Sequence, residues 1–103
     1  MAEVYLNSNS PIYHSVYWHG DLTDADSLPT VLVYDITEDP AISPPINPGQ
    51  LLTSLNSVKM ENDMGTYAVY LPLSYTTRTR QFKLVWQYAV GGVGTTKEHR
   101  VFV

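Results

Sequence analysis

One stretch of the sequence alternates in side-chain character for ten positions, residues 81–90. Every second position carries an aromatic or aliphatic residue, and these are Phe82, Leu84, Trp86, Tyr88 and Val90. The intervening face carries Gln81, Lys83 and Gln87. Successive side chains point to opposite faces in a β-strand, so a period of two is strand geometry. The pattern predicts a strand over residues 81–90 that turns its aromatic and aliphatic face into a core.

Proline and glycine divide the rest of the sequence into short runs. Four of the seven prolines and Gly49 lie within residues 40–49, which predicts an extended loop because proline fixes φ and lacks a backbone donor. The runs between such breaks are rich in Val, Tyr, Ile, Leu, Trp and Thr, which suit a pleated, half-buried surface. We therefore expect further strands at residues 3–7, 13–19, 30–37, 66–72 and 95–103.

The segment after Gly49 is ambiguous. Leu51, Leu55 and Val58 recur at helical spacing, but most of the residues between them are poor helix formers. This composition favours a strand with an irregularity near Asn56 and Ser57 over a short helix. About seven strands in 103 residues, with no clear helix, predict a single all-β domain: an antiparallel β-sandwich spanning residues 1–103.

Composition excludes several classes of function. The net charge is −4 and the isoelectric point is near 5.1, which argues against a nucleic-acid partner. The sequence has no cysteine and no run of about 20 apolar residues, so we expect neither a thiolate site nor a membrane partner. Charged residues make up 16% against about 25% in an average domain, while the chain holds eight tyrosines.

Two groups of residues contain potential metal ligands. Asp21, Asp24 and Asp26 share one loop and could hold calcium, but their spacing is not that of a calcium loop. We expect a solvated turn whose carboxylates bond local amides. His14 and His19 differ by five positions, so on one strand they would point to opposite faces, which is poor geometry for a zinc site with His99. We expect these histidines to be hydrogen-bonded or exposed instead. No metal or cofactor is expected.

The sequence contains no recognisable catalytic motif. No serine lies in a Gly-x-Ser-x-Gly elbow, and no serine, histidine and acid are spaced as a triad. The glycines of residues 91–94 resemble a phosphate loop only superficially, because they precede a predicted strand and lack the Gly-Lys-Ser/Thr ending. They predict a hairpin turn instead. We expect a protein that is not an enzyme and has no catalytic residues.

Residues 63–67, Asp-Met-Gly-Thr-Tyr, are similar to the Asp-x-Gly-x-Tyr that opens a core strand in immunoglobulin-type folds. In those folds the tyrosine hydroxyl bonds back to the preceding corner. Val69 stands where an antibody domain has its cysteine, and two strands rather than one are expected after Tyr67. The resemblance is therefore to Ig-like sandwiches in general.

A longer pattern resembles the small Ig-like modules of virion proteins in tailed bacteriophages. It comprises a strand ending in Val33-Tyr34-Asp35, the proline-rich loop, Gly65-Thr66-Tyr67, and the Phe-x-Leu-x-Trp-x-Tyr of residues 82–88 followed by Gly91-Gly92. The resemblance implies a structural protein of the neck, head–tail connector, capsid decoration or tail, located in the virion. Its expected partners are portal, connector or capsid proteins. The apolar ending Val101-Phe102-Val103 adds the expectation that these residues begin a longer chain.

Tyrosines outside the predicted core stripes are the expected contact residues, because tyrosine supplies a large, stiff, amphipathic area. These are Tyr5, Tyr13, Tyr17, Tyr70 and Tyr75, with the basic residues Arg78 and Arg80 beside the last. The basic cluster of Arg78, Arg80 and Lys83 and the acidic residues at 21–26 and 38–39 have opposite charges. Opposite charges on two ends of one chain suggest a head-to-tail homo-oligomeric ring or array. The alternative function is a carbohydrate-binding module of a phage fibre or bacterial surface protein; a small hydrolase is the third.

Overall fold

The computed structural model describes residues 2–7, 10–36, 50–76 and 80–103. The predicted all-β class with antiparallel sheets is confirmed, and the one helical element in these residues is a 3-10 turn at Leu73–Thr76. The strands are β1 Ala2–Glu3, β2 Pro11–Ser15, β3 Tyr17–Trp18, β4 Asp21–Leu22, β5 Thr30–Asp35, β6 Gln50–Asn56, β7 Val58–Lys59, β8 Thr66–Tyr70, β9 Gln81–Val90 and β10 Val93–Phe102.

The strands form two main sheets around one hydrophobic core. The larger sheet has the order β1-β10-β9-β5-β6, with all pairs antiparallel except β1 and β10. The smaller has the order β2-β8-β7, and β3 and β4 form a separate ribbon. Both sheets contribute to the core, whose fully buried members include Ile12, Val69, Leu84 and Trp86. This two-layer arrangement is consistent with a β-sandwich.

The predicted stripe of β9 forms the centre of this core. Phe82, Leu84 and Trp86 have no exposed surface, and Val90 is 6% exposed. Tyr88 is only partly buried and packs at the margin of the core. The strand has the predicted bounds, and the two-residue turn Gly91-Gly92 pairs Val90 with Val93 to start β10.

The ambiguous segment is a strand, as predicted, and its irregularity marks a change of sheet. β6 ends at Asn56 in the larger sheet, and β7 begins at Val58 in the smaller. Ser57 lies between them, buried, and both its hydroxyl and its amide donate to the carbonyl of Pro29, at 2.8 and 3.2 Å. This pair of bonds satisfies the buried polar groups where the chain crosses from one layer to the other.

Several expected boundaries were wrong. The strand expected at residues 13–19 is divided into β2 and β3, and β3 pairs with β4, which lies in a segment expected to be a loop. Positive φ angles at His19 (52°) and Gly20 (85°) form the tight turn that folds β4 back on β3. The leading strand is Ala2–Glu3 rather than residues 3–7, and β10 begins two residues before the expected position.

Tyr67 departs from the immunoglobulin pattern in its hydrogen bond. Its buried hydroxyl accepts a bond from the amide of Ala25, at 3.0 Å, in the loop between β4 and β5. The resemblance implied a bond to the corner that precedes the tyrosine, so that detail is wrong for this chain. The bond instead joins β8 to a loop 42 residues earlier in the sequence.

Candidate interaction surface and an inter-sheet histidine pair

The outward side of the smaller sheet carries two of the predicted contact tyrosines. On β2, Ile12 is buried and Tyr13 is 51% exposed; on β8, Val69 is buried and Tyr70 is 44% exposed. The register pairs Tyr13 with Ala68 and Pro11 with Tyr70. Tyr13 and Tyr70 are therefore diagonal neighbours on one face, a relation that places side chains about 7–8 Å apart. We call the outward residues Pro11, Tyr13, Val58, Ala68 and Tyr70 the outer tyrosine face.

Ala68 shows how this face is built. It points outward, yet it has no exposed surface. Its directly opposite neighbours are Tyr13 on β2 and Val58 on β7, and these larger side chains cover it. Val58 itself is 49% exposed. The result is an apolar, partly aromatic surface mounted on hydrogen-bonded backbone, which suits contact with another protein because little side-chain entropy is lost on binding.

Two further predicted contact tyrosines are exposed but lie elsewhere in the fold. Tyr17 is 60% exposed on the β3–β4 ribbon, where Trp18 and Leu22 are also exposed. Tyr5 is 71% exposed and lines a shallow cleft with Leu6 and the last two residues, Phe102 and Val103. The structure therefore brings Tyr13 and Tyr70 together and places Tyr5 near the chain ends.

Tyr75 and Arg80 have a different setting from the one expected of contact residues. Tyr75 is half-buried and stacks on the buried ring of Phe82, with centroids 5.8 Å apart. The guanidinium of Arg80 lies 6.0 Å from the Tyr75 ring centroid, and Lys83 lies over Tyr34 at 4.9 Å. These cations thus pack on aromatic rings at the margin of the molecule.

Some predicted charged contacts fall outside the part of the chain that the structure describes. These are Arg78, Glu38 and Asp39.

Two aspartates in the loop between β4 and β5 accept hydrogen bonds from backbone amides of other segments. Asp24 accepts from the amide of Gly65 at 2.8 Å and from the Lys59 ammonium at 2.7 Å. The bond from Lys59, then that from Gly65, lowers the pKa of the Asp24 carboxyl. Asp26 accepts from Gly91 and Gly92. The expectation of local amide bonds was wrong, because the loop folds against two distant turns. In the described residues no three His, Cys, Asp or Glu side chains form a metal-binding group.

Asp26 fixes the β9–β10 hairpin, and its removal is a test of that role. Its two carboxylate oxygens accept from the amides of Gly91 (3.0 Å) and Gly92 (2.8 Å). Asp26→Ala is expected to lower the free energy of unfolding by about 1–2 kcal/mol, since charge-assisted bonds are lost but water reaches the exposed amides. Urea denaturation measures this. Asp21→Ala removes an exposed carboxylate from the neighbouring strand β4 and should change stability by less than about 0.5 kcal/mol. Equal losses in the two variants would contradict the assignment.

A pair of histidines joins the two sheets. His14 on β2 and His99 on β10 lie with Nδ1 and Nε2 2.8 Å apart, and His14 Nε2 lies 3.2 Å from the Tyr88 hydroxyl on β9. The His14 ring also packs on Trp86, at a centroid distance of 5.2 Å. A continuous chain of hydrogen bonds forms when both histidines are neutral: Tyr88 donates to His14, and His14 donates to His99, or the reverse.

This geometry makes the pair resist protonation. Burial, then the positive charges of His99 and Lys97, lowers the pKa of His14 to about 4. Burial lowers the pKa of His99 and raises that of Tyr88. Sequence reasoning compared His14 only with His19 and missed this pair. The two residues lie 85 positions apart, and no local pattern links them.

Comparison with known proteins identified no matching family model, curated protein or solved structure. Among the described residues, no helix has the length and apolar character needed to cross a membrane.

Proposed function

We propose that this chain is a structural, non-catalytic module of a tailed-phage particle. It binds other virion proteins, namely portal, connector or capsid, at the neck, head–tail connector or capsid surface. The phage setting and the Ig-like type are supported by the sequence resemblance around Gly65-Thr66-Tyr67 and β9. The binding role is supported by one structural observation above all, the outer tyrosine face on the smaller sheet.

The physical character of that face favours a protein partner. Tyr13, Val58 and Tyr70 are each between 44% and 51% exposed and share one side of a paired sheet. Tyrosine is enriched at protein interfaces, and half-exposed apolar side chains gain from exclusion of water. The acidic residues Asp24 and Asp26 are engaged within the chain, so we place the main contact on this face rather than on a charge-based ring.

The carbohydrate-binding alternative has less support at this face. A sugar platform needs amide or carboxylate side chains beside its aromatic rings. The outward neighbours of Tyr13 and Tyr70 in the ladder are Pro11, Ala68 and the pair Ser15 and Thr66, whose hydroxyls lie 3.5 Å apart. The exposed Trp18, with Asp21 opposite it in the β3–β4 ribbon, is the better candidate for such an activity.

The test begins with the reading frames that flank the coding sequence. A portal or terminase gene beside it identifies the particle whose purified neck and capsid are the binding probes. We expect the chain to bind one of these preparations, and Tyr13→Ala and Tyr70→Ala each to weaken binding at least about tenfold, as truncation of interface anchors does.

Leu28→Ala is the matched control, since Leu28 is 54% exposed in the loop before β5 and lies off the face. It should leave the affinity unchanged. Flanking genes of a metabolic operon would overturn the phage proposal. Binding to a glycan array that is lost in Trp18→Ala but kept in Tyr13→Ala would favour the carbohydrate alternative.

A further inference from the structure

The histidine pair that joins the two sheets places two potential metal ligands side by side. Nδ1 of His14 on β2 and Nε2 of His99 on β10 lie 2.8 Å apart. Both side chains are partly exposed, so a hydrated ion has access to them. Neutral imidazole is the commonest metal ligand in proteins. The pair therefore offers two such ligands, one from each sheet.

The neighbours of His14 hold its ring in an orientation that suits a metal ligand. Its second nitrogen, Nε2, lies 3.2 Å from the Tyr88 hydroxyl, and its ring packs on Trp86 with centroids 5.2 Å apart. A metal-binding histidine almost always donates its other ring N–H to an acceptor, which fixes the tautomer and the ring orientation. When Nε2 of His14 donates to Tyr88, Nδ1 is the unprotonated nitrogen, and its lone pair is on the side of His99.

We propose that His14 and His99 form a two-histidine site for a late first-row transition metal ion, with Cu²⁺ the preferred ion. His14 keeps its proton on Nε2 and His99 holds its proton on Nδ1, so both rings stay neutral and each gives one lone pair. In residues 2–7, 10–36, 50–76 and 80–103, no third His, Cys, Asp or Glu joins the pair, so water completes the coordination. This goes beyond the proposed function and does not involve the outer tyrosine face.

The distance between the two nitrogens favours Cu²⁺ over Zn²⁺. Metal–nitrogen bonds of about 2.0 Å to atoms 2.8 Å apart enclose an angle of about 90° at the metal. That angle is found between neighbouring ligands of the tetragonal arrangement that Cu²⁺ prefers. The tetrahedral geometry of Zn²⁺ needs nitrogens about 3.3 Å apart, so the two sheets would have to separate slightly.

Charge near the pair sets the expected affinity. Burial, then the positive charges of His99 and Lys97, lowers the pKa of His14 to about 4, so protons compete little with a metal at neutral pH. The register pairs Lys97 with Trp86, which places the lysine on the same side of the sheet as the histidines, where its ammonium repels a cation. With two protein ligands and this repulsion, we expect a dissociation constant on the order of 10 µM for Cu²⁺ at pH 7.

Fluorescence titration with Cu²⁺ tests the proposal, because bound Cu²⁺ quenches a nearby indole. The titration uses the Trp18→Phe chain without a polyhistidine tag, in which Trp86 is the remaining tryptophan. We expect saturable quenching, and both His14→Gln and His99→Gln should lower the affinity at least about tenfold, since each removes one of two ligands. His19→Asn is the matched control and should bind like the parent, because His19 lies on the β3–β4 ribbon beside Trp18.

Two further measurements separate this site from adventitious binding to a surface histidine. Lys97→Gln alters an exposed side chain and keeps both histidines, and it should raise the Cu²⁺ affinity at least about threefold by removing the repulsion. Between pH 7 and pH 6, two histidines of ordinary pKa would lose about tenfold in affinity to proton competition. Because the pKa values of His14 and His99 are lowered, the loss here should be less than about threefold.

Several outcomes would overturn the proposal. A parent chain whose fluorescence shows no saturable quenching up to about 100 µM Cu²⁺ would do so, since the site would then be at least about tenfold weaker than expected. So would a folded His14→Gln chain that binds like the parent, or a Lys97→Gln chain that binds more weakly. Binding that His19→Asn abolishes would place the ion on the exposed ribbon instead. Circular dichroism establishes that each variant is folded.

Discussion

Gly65→Ala is expected to lower the free energy of unfolding by about 3–4 kcal/mol, a large part of the 5–15 kcal/mol that stabilises a domain. Gly65 has a φ of +70°, which a residue with a Cβ atom adopts only with strain. An added Cβ would lie 2.8 Å from the Thr23 carbonyl oxygen, 2.9 Å from the Thr23 nitrogen and 3.0 Å from the Val16 carbonyl oxygen. All three are backbone atoms, so no side chain can turn aside.

The position matters because three segments meet there. The Val16 amide donates to the Gly65 carbonyl at 2.7 Å, and the Gly65 amide donates to Asp24 at 2.8 Å. The Thr23 amide donates to the Val16 carbonyl, at 3.0 Å. A shift of Gly65 therefore disturbs the end of β2, the acidic loop and the start of β8 together. We expect the pairing of β2 with β8, which forms the outer tyrosine face, to weaken in the same variant.

Gly20→Ala is the matched control for this prediction. Gly20 also has a positive φ, +85°, but nothing lies within 4 Å of an added Cβ. It carries the conformational strain without the clash, so its cost should be about 1–2 kcal/mol. Urea denaturation of both variants separates the two effects. Equal losses would show that strain alone explains the need for glycine at position 65.

Acid is expected to destabilise the chain between pH 6.5 and about 4, a range whose upper part lies well above the pKa of ordinary carboxylates. The pKa of His14 falls from 6.5 to about 4 in the folded chain, and the pKa of His99 falls as well. The unfolded chain therefore binds more protons in this range. The contribution of the neutral histidine pair to the free energy of unfolding is fully present above about pH 6.5, and it is lost as the pH falls from 6.5 towards 4. We expect a loss of about 2 kcal/mol, allowing for solvent screening of half-buried rings.

The reason is visible in the geometry of the pair. Nδ1 of His14 and Nε2 of His99 can share a single proton in a hydrogen bond. When both of these nitrogens carry a proton, two donors face each other and the bond is lost. The nearby ammonium of Lys97 adds to the repulsion. Both rings lie at the junction of β2 with β9 and β10, so the sheets should separate there first.

Unfolding free energies measured from pH 7.5 to 4 test this prediction, with two variants. His14→Gln keeps a donor and an acceptor but does not titrate, so its stability should vary with pH less than half as much as that of the parent. His19→Asn removes a histidine from the exposed tip of the β3–β4 ribbon and should keep the parent's dependence. A parent chain equally stable at pH 7 and pH 4.5 would contradict the assignment.

Local pattern predicted most of the secondary structure because the information needed is local. The alternation of residues 81–90 and the glycine pair at 91–92 are properties of neighbouring residues, and β9 and its turn follow the prediction closely. The failures have a different cause. His19 takes a positive φ, which no sequence rule requires, and this creates the β3–β4 ribbon.

The candidate surface was predicted only in part. Tyr13 and Tyr70 were expected to be exposed because they lie outside the core stripes. Their proximity depends on the register Pro11 with Tyr70, which joins residues 59 positions apart. Tyr75 resembled them in sequence, but it stacks on Phe82 because the 3-10 turn returns the chain to the core. The neighbouring residues in the sequence do not distinguish a tyrosine that will be exposed from one that will be half-buried.

The sequence by itself determined where most of the strands lie, which side of β9 is apolar, and the all-β class of the described residues. Only the tertiary structure decided which strands became edges, that His14 meets His99, and that Gly65 lies against the backbone of Thr23 and Val16. The physical reason is the range of the interactions. Side-chain alternation acts between neighbours in sequence, whereas register, burial and pKa depend on atoms that folding brings together from distant parts of the chain.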